Sequence, residues 1–278
     1  MCMGLGCNAA GVTGCRIIDS PRERLIAILT NNFMPCNGRF PTLIALFGMF
    51  FVGMGAGFGG SAALLGCALL FSIGMTLAAS KLLSRTLLRG EVSSFVLELP
   101  PYRRPQFGKV LVRSLLDRTL YVLGRAAVVA APAGLVLWCA ANLDIGGISL
   151  LTRCASFLDP FARLFGMDGT ILLAFVLGFP ANEIVLPIIL MAYTAQGDLQ
   201  EIGELIALKD VLAAHGWTWI TAVNVLLFLL MHWPCSTTVL TIRRETGNLR
   251  WTALSMVLPT MFGLVCCFLF TCVARCFL

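Results

Sequence analysis

The sequence predicts an all-α fold, a polytopic transmembrane helical bundle with broken or re-entrant helices. Three observations predict it. First, charge is scarce: 12% of residues are Asp, Glu, Lys or Arg and 58% are hydrophobic, whereas a soluble domain carries about 25% charged residues. Lipid must therefore be the solvent for most of the outside. Second, the charge is segregated. Residues 40–80, 126–143, 211–242 and 251–274 contain no charged side chain, and 169–197 contain only Glu183. A spanning helix needs about 20 mostly apolar residues, so each run suffices for one span and the first for two. Third, the runs are continuous rather than alternating. Only helices and closed barrels satisfy the backbone in lipid, and continuous runs select helices.

The elements follow in order. Residues 1–15 are uncharged and glycine-rich, too short to span, and tolerable at membrane depth only if buried in protein or lining a cavity. They lack the basic start and cleavage site of a signal peptide. Residues 16–24 form a charged connector in which Ser20 is placed to cap a helix and Pro21 to occupy its first position. A half-helix over 25–34 then stops at Pro35. Spans are expected at 40–60 and 61–83, with Gly53, Gly55, Gly57, Gly59 and Gly60 marking the turn between them or a close helix contact.

Residues 81–118 are the one long polar segment, with a basic excess that reads as cytoplasmic. The spacing of Val110, Leu111, Leu115 and Leu116 after Pro105 predicts an amphipathic helix at the interface. A span is expected at 120–143, then a nearly neutral connector over 144–168. Residues 170–195 are apolar but carry Pro180, Asn182, Glu183 and Pro187. Residues 196–215 are acidic on balance, 216–241 are apolar up to Trp233 and then broken, and 243–250 are short and basic. The last span is expected at 251–276.

Charge counting constrains the topology. The basic connectors around Arg16, 81–118 and 243–250 belong on the inside. Three apolar segments separate Arg118 from Arg243, and three full crossings would put Arg243 outside. The conflict disappears if 170–195 turns back, for which its two prolines and its Asn-Glu pair supply a cause.

Two features carry candidate chemistry. Glu183 is an ionisable residue inside an apolar segment, which is costly and points to a functional site unless a neighbouring helix hydrogen-bonds it. Pro180 frees backbone carbonyls beside it, and Asn182 adds an amide oxygen. Such broken-helix sites near mid-membrane are where transporters hold ions. The second feature is a pair of breaks, Pro35-Cys36 and Pro234-Cys235. Each proline exposes carbonyls one turn back, and each cysteine adds sulfur, a donor set that suits a transition metal. A polar segment precedes each pair: Gly6-Cys7-Asn8 before the first, Asn182-Glu183 before the second. His232, three before Cys235, suits either a metal or a helix contact; His215 is expected to be uninvolved. The other cysteines, such as Cys67, Cys139, Cys266, Cys267 and Cys272, are read as small core- or lipid-facing residues. No phosphate loop, zinc-type cluster or Ser/His/Asp set is present in the sequence, so no catalytic residue is assigned. A net charge of +6 does not suggest a nucleic-acid partner.

At these residues the chain resembles the membrane region of the ferrous iron transport protein B (FeoB) family. The matching stretches are Gly4-Leu5-Gly6-Cys7-Asn8, Arg22-Glu23-Arg24-Leu25 through Pro35-Cys36, Arg39-Phe40-Pro41, Glu98-Leu99-Pro100-Pro101-Tyr102, Asn182-Glu183, Pro234-Cys235 and Ile242-Arg243-Arg244-Glu245-Thr246-Gly247, in the family's order. The resemblance implies Fe2+ uptake across a bacterial inner membrane, with Fe2+ as the transported ion and no permanently bound cofactor. It implies two gate-type repeats, over 1–80 and 119–278, joined by the connector 81–118. It also makes Cys7, Cys36 and Cys235 pore thiols and Glu183 the pore carboxyl, with Asn8 and Asn182 beside them as metal-site candidates.

The chain departs from the family in two ways. Members begin with a GTPase domain and further membrane segments, and they carry a proline after Gly-Cys-Asn-x where Ala9-Ala10 stands here. The chain is therefore expected to act with a GTPase-bearing chain or small accessory Feo proteins, or to be a truncated remnant or accessory subunit. A homo-oligomer is allowed. A gate-type carrier for an organic solute such as a nucleoside is the alternative, against which the paired thiols argue.

Overall fold

The computed structural model describes residues 2–51, 57–90, 108, 112, 121–143, 149–194 and 205–277. Every regular element among them is helical: α1 (Asn8–Gly14), α2 (Pro21–Thr30), α3 (Phe40–Phe47), α4 (Gly57–Arg85), α5 (Tyr121–Asn142), α6 (Leu150–Ala162), α7 (Gly169–Leu177), α8 (Val185–Thr194), α9 (Leu205–Ala214), α10 (Trp219–Met231), α11 (Ser236–Thr246) and α12 (Leu249–Phe277), with short 3-10 turns between. Among the described residues, three stretches are long and apolar enough to cross a membrane: 59–85, 219–246 and 249–277. The protein is a multi-pass all-α membrane bundle. The amphipathic helix expected after Pro105 lies outside the described residues.

Two helical stretches are broken at their prolines. The first is α2, a break, then α3. Ser20 caps α2 by accepting from the Glu23 N–H, with Pro21 at its first turn, as the sequence reading expected. The helix tightens into a 3-10 turn over Asn31–Phe33 and opens to extended backbone at Met34 (φ −80°, ψ 124°), because a residue before proline is driven out of the helical region. The second is α10, a break over 232–235, then α11. Pro234 supplies no N–H, and His232 leaves the helix at φ −73°, ψ 174°.

Each broken span is followed by a long helix running back beside it. Arg22 at the start of α2 reaches the Leu88 and Ser84 carbonyls just past and within the end of α4. Likewise α12 returns along α10: Asn224 donates to Thr271 (3.0 Å) and the Cys267 thiol to the Asn224 carbonyl (3.4 Å). A Cβ on Gly263 would stand 3.2 Å from Met231 Cβ, so the two backbones meet closely there.

Residues 170–194 fold back on themselves. α7 and α8 have nine and ten residues, about 14 and 15 Å, or half a hydrocarbon core of about 30 Å. Tyr193 near the end of α8 donates to Asp168, the cap at the start of α7. The legs are therefore antiparallel and the tip is residues 178–184. Phe175 on the first leg packs edge-on against Phe228 of α10 (centroids 4.8 Å), which seats the hairpin on the second broken span.

Three expectations are corrected. The neutral connector over 144–168 contains α6, capped by Ser149 on the Thr152 N–H. α6 with its following turn meets α7 at 106°. Gly166 makes this corner in the left-handed region (φ 68°), where a Cβ would also fall 2.3 Å from Asn224 Nδ2. The span expected over 40–60 is short: α3 ends at Phe47 and a π turn covers 48–51. Gly57, Gly59 and Gly60 stand inside the first turn of α4 rather than in a loop. Within the acidic segment 196–215, to which the sequence reading gave no element, Leu205–Ala214 form helix α9.

The ends of the bundle differ. At one end Arg16 pairs with Glu245 (2.6 Å) and Arg22 holds the end of α4. At the other, Trp217 donates to the Tyr193 hydroxyl (2.9 Å) and stacks on Phe50.

Candidate functional site

The hairpin tip and the two breaks meet at mid-bundle. Each break is stitched to a neighbouring polar segment through its backbone. The Asn37 N–H, next after Cys36, donates to the Gly6 carbonyl (3.3 Å). The Ser236 N–H, next after Cys235, donates to the Phe179 carbonyl (2.9 Å), and the Ser236 hydroxyl to the Pro180 carbonyl (3.3 Å). The local backbone repeats as well. Cys7 precedes α1 at φ −153°, ψ 124°, and Ala181 precedes the turn at Asn182 at φ −149°, ψ 122°. Cys36 and Cys235 are both extended residues at the start of a helical turn. In this register Asn8 matches Asn182, and the counterpart of Cys7 is an alanine.

The two asparagines are both buried but do different things. The Asn8 amide, turned with its nitrogen toward two carbonyls, donates to Gly4 (3.1 Å) and Met34 (3.2 Å). It satisfies the Met34 carbonyl at the end of the first half-helix. Asn182 instead reaches across the bundle: its Nδ2 lies 3.8 Å from the Cys36 sulfur and its Oδ1 lies 3.3 Å from His232 Nε2. His232 is buried, and its Nδ1 sits 3.0 Å from the Leu229 carbonyl. A neutral ring can donate to only one of these two oxygens. His232 is thus a link in the packing of the tip, not a free ligand.

Glu183 points the other way. Its side chain is exposed, and a Cβ built on Gly38 would stand 4.0 Å from its Oε2. No described residue hydrogen-bonds or ion-pairs with it, so a carboxyl held by a neighbouring helix is excluded among the described residues. Cys7 is exposed, Cys235 half-buried with its sulfur 3.3 Å from the Thr238 hydroxyl, and Cys36 buried. Cys7 and Cys36 both lie within electrostatic range of Cys235. All twelve cysteines are free thiols. Yet no three His, Cys, Asp or Glu side chains among the described residues converge as a metal cage. The arrangement offers separate sulfur, carboxylate, amide and carbonyl donors around the hairpin tip and the two breaks.

The sequence reading quoted Arg39 only within a motif. It is wholly buried, and its guanidinium bonds carbonyls of the opposite break. The available signal was its position, three residues after Cys36 at the head of an uncharged run of 41 residues, 40–80.

Comparison with known proteins places the chain. Residues 65–117 match the family model described as ferrous iron transport protein B C terminus, and residues 123–249 match the one described as nucleoside recognition. The Fe(2+) transporter FeoB of Staphylococcus aureus is 29% identical over 97% of this chain and 39% of its own length. The FeoB of Campylobacter jejuni is 26% identical over 90% of this chain and 41% of its own. A Porphyromonas gingivalis relative, an Fe(2+) transport protein A/Fe(2+) transporter FeoB fusion protein, is 25% identical over 96% and 36%. The chain spans about two-fifths of the length of the curated relatives it matches. No solved structure matches. With two family models matched in succession and relatives aligned over nearly all of its residues, this chain is similar to the C-terminal region of the ferrous iron transport protein B family.

Proposed function

We propose that the chain is the membrane permease part of a ferrous iron uptake transporter in a bacterial inner membrane. The observation that carries this reading is the hairpin tip: Asn182 stands 3.8 Å from the Cys36 sulfur, and Glu183 beside it faces Gly38 of the same break. Fe2+ is the substrate. It accepts mixed sulfur and oxygen ligands, and passage requires binding strong enough to admit the ion yet weak enough to release it. Cys7, Cys36, Glu183 and Cys235, with the Asn182 amide, would supply such contacts in turn. Asn8 would hold the break behind them.

Two gate-type repeats, 1–80 and 119–278 joined by 81–118, are part of the proposal. Their support is an order of elements found twice: a short helix, a span broken at Pro-Cys, and a long returning helix. The end with Arg16, Arg22, Arg243 and Arg244 would face the cytoplasm. The partners proposed are a GTPase-bearing chain and small accessory Feo proteins. The name of the fused Porphyromonas gingivalis relative supports the second.

The test is Fe2+ uptake by the complete system carrying Cys36→Ser, Cys235→Ser or Glu183→Gln. Each should lower uptake at equal membrane abundance. Unchanged uptake in all three would refute the site assignment. The match to a nucleoside-recognition model favours one second reading, a carrier of an organic solute. Nucleoside uptake that survives all three substitutions would select it.

A further inference from the structure

Arg39 is a guanidinium with no exposed surface in the middle of a membrane bundle. No carboxylate among the described residues lies within ion-pair distance of it. A buried charge without compensation is too costly to persist, so its partners must be dipoles. They are three carbonyls of the opposite broken span: Nη1 donates to Leu230 (2.8 Å), and Nη2 to His232 (3.2 Å) and Trp233 (3.3 Å).

The choice of carbonyls has a cause. In a continuous helix the Leu230 carbonyl would accept from the N–H four residues on. That residue is Pro234, which has none. Arg39 takes the missing donor's place, and its second nitrogen bonds the His232 and Trp233 carbonyls just past the end of α10. The negative end of the α10 dipole falls at the same spot and balances the charge. The first break solves the same problem locally: Met34 N–H takes the Asn31 carbonyl that Pro35 leaves open (3.2 Å), and Asn8 takes the Met34 carbonyl. Only the second break borrows its donor from the other half of the molecule.

Arg39 stands three residues after Cys36 and closes the turn Asn37–Arg39 that Cys36 begins. Its hydrogen bonds end one residue before Pro234-Cys235. It also lies within electrostatic range of both sulfurs. We infer that Arg39 is a positioning residue that ties the two Pro-Cys breaks into one unit, so that neither opens without the other. A fork is required for this. Lysine keeps the charge but is a single point donor that cannot present the same planar set. The inference does not depend on which solute passes.

The experiment follows N-ethylmaleimide labelling of each cysteine by peptide-resolved mass spectrometry. It uses the whole chain in lipid nanodiscs, as wild type, Arg39→Lys and Arg39→Met. Cys267, wholly buried between α12 and α10, reports general unfolding. The expected result is that Cys36 and Cys235 both label at least about tenfold faster in each variant, the factor that one lost buried hydrogen bond gives an opening equilibrium. Cys267 should keep its wild-type rate. Should the Met variant unfold, the Lys variant decides. Faster labelling of Cys235 alone would show that the breaks open independently. A Lys variant that behaves as wild type would show that charge suffices, and one in which Cys267 also accelerates would show a merely general contribution to stability. Any of these overturns the inference.

Discussion

Replacing Asn182 by alanine tests the junction at its centre. The side chain is 4% exposed and joins three parts: its own hairpin, Cys36 of the first break, and His232 of the second. Truncation leaves His232 Nε2 facing an apolar gap beside Phe175 and Phe228, whose ring centroids lie 5.0 and 6.0 Å from the imidazole. A buried polar atom stripped of its partner costs about 1–3 kcal/mol. The contact to sulfur at 3.8 Å is long and adds little. Heating the detergent-solubilised chain should therefore give a Tm lower by several degrees, at about 2–4 °C per kcal/mol for a chain of this size class. The loss should also be directional: Cys36, buried beneath the amide, should become the thiol whose labelling rises most. Asn8→Ala offers the contrast. It opens two carbonyls, which keep a second lone pair, and should destabilise without exposing Cys36. An Asn182→Ala protein with an unchanged Tm and an unreactive Cys36 would refute the reasoning, because it would mean the hairpin tip is held by something other than this amide.

Other predictions follow from packing. Gly169→Ala would place a methyl 1.9 Å from the Ala155 carbonyl oxygen and 2.7 Å from the Asp159 nitrogen. Both are backbone atoms and cannot rotate away, so overpacking should cost about 1–3 kcal/mol or more, read as a fall in Tm. Phe175→Ala empties a wholly buried site against Phe228 and His232 and should cost about 3–5 kcal/mol by denaturant titration. Glu245→Gln breaks an ion pair whose Arg16 partner is largely exposed. Such pairs contribute little, so the Tm should stay within error of wild type at physiological salt.

Much of the fold could be read from the chain because its strongest signals are local. Pro35 and Pro234 stand beside polar residues and mark the helix breaks, and the uncharged runs leave no solvent but lipid. The turning back of 170–195 followed from counting charges, and the Tyr193–Asp168 contact shows its geometry. What could not be read depends on partners distant in sequence. α6 has charges at Arg153 and Asp159, with Arg163 just past its end, and no long apolar run, so it looked like a connector; its helix is sustained by packing against α7. Arg39 stood out only as the first residue of the Arg39-Phe40-Pro41 stretch. Its burial becomes intelligible only once the Leu230 carbonyl, freed by Pro234, lies beside it. Similarly, Asn8 and Asn182 occupy matching places, but nothing local shows that one amide serves its own half and the other crosses to the opposite one.

The central claim is that Fe2+ passes between the hairpin tip and the two Pro-Cys breaks. Its most direct test is protection of thiols by the ion itself. Anaerobic Fe2+ is added to the complete transporter in nanodiscs, and maleimide labelling is followed at every cysteine. Cys7, Cys36 and Cys235 are predicted to label more slowly as Fe2+ rises, while the exposed thiols Cys67 on α4 and Cys272 on α12 keep their rates. Equal protection everywhere, or none at those three, would contradict the account.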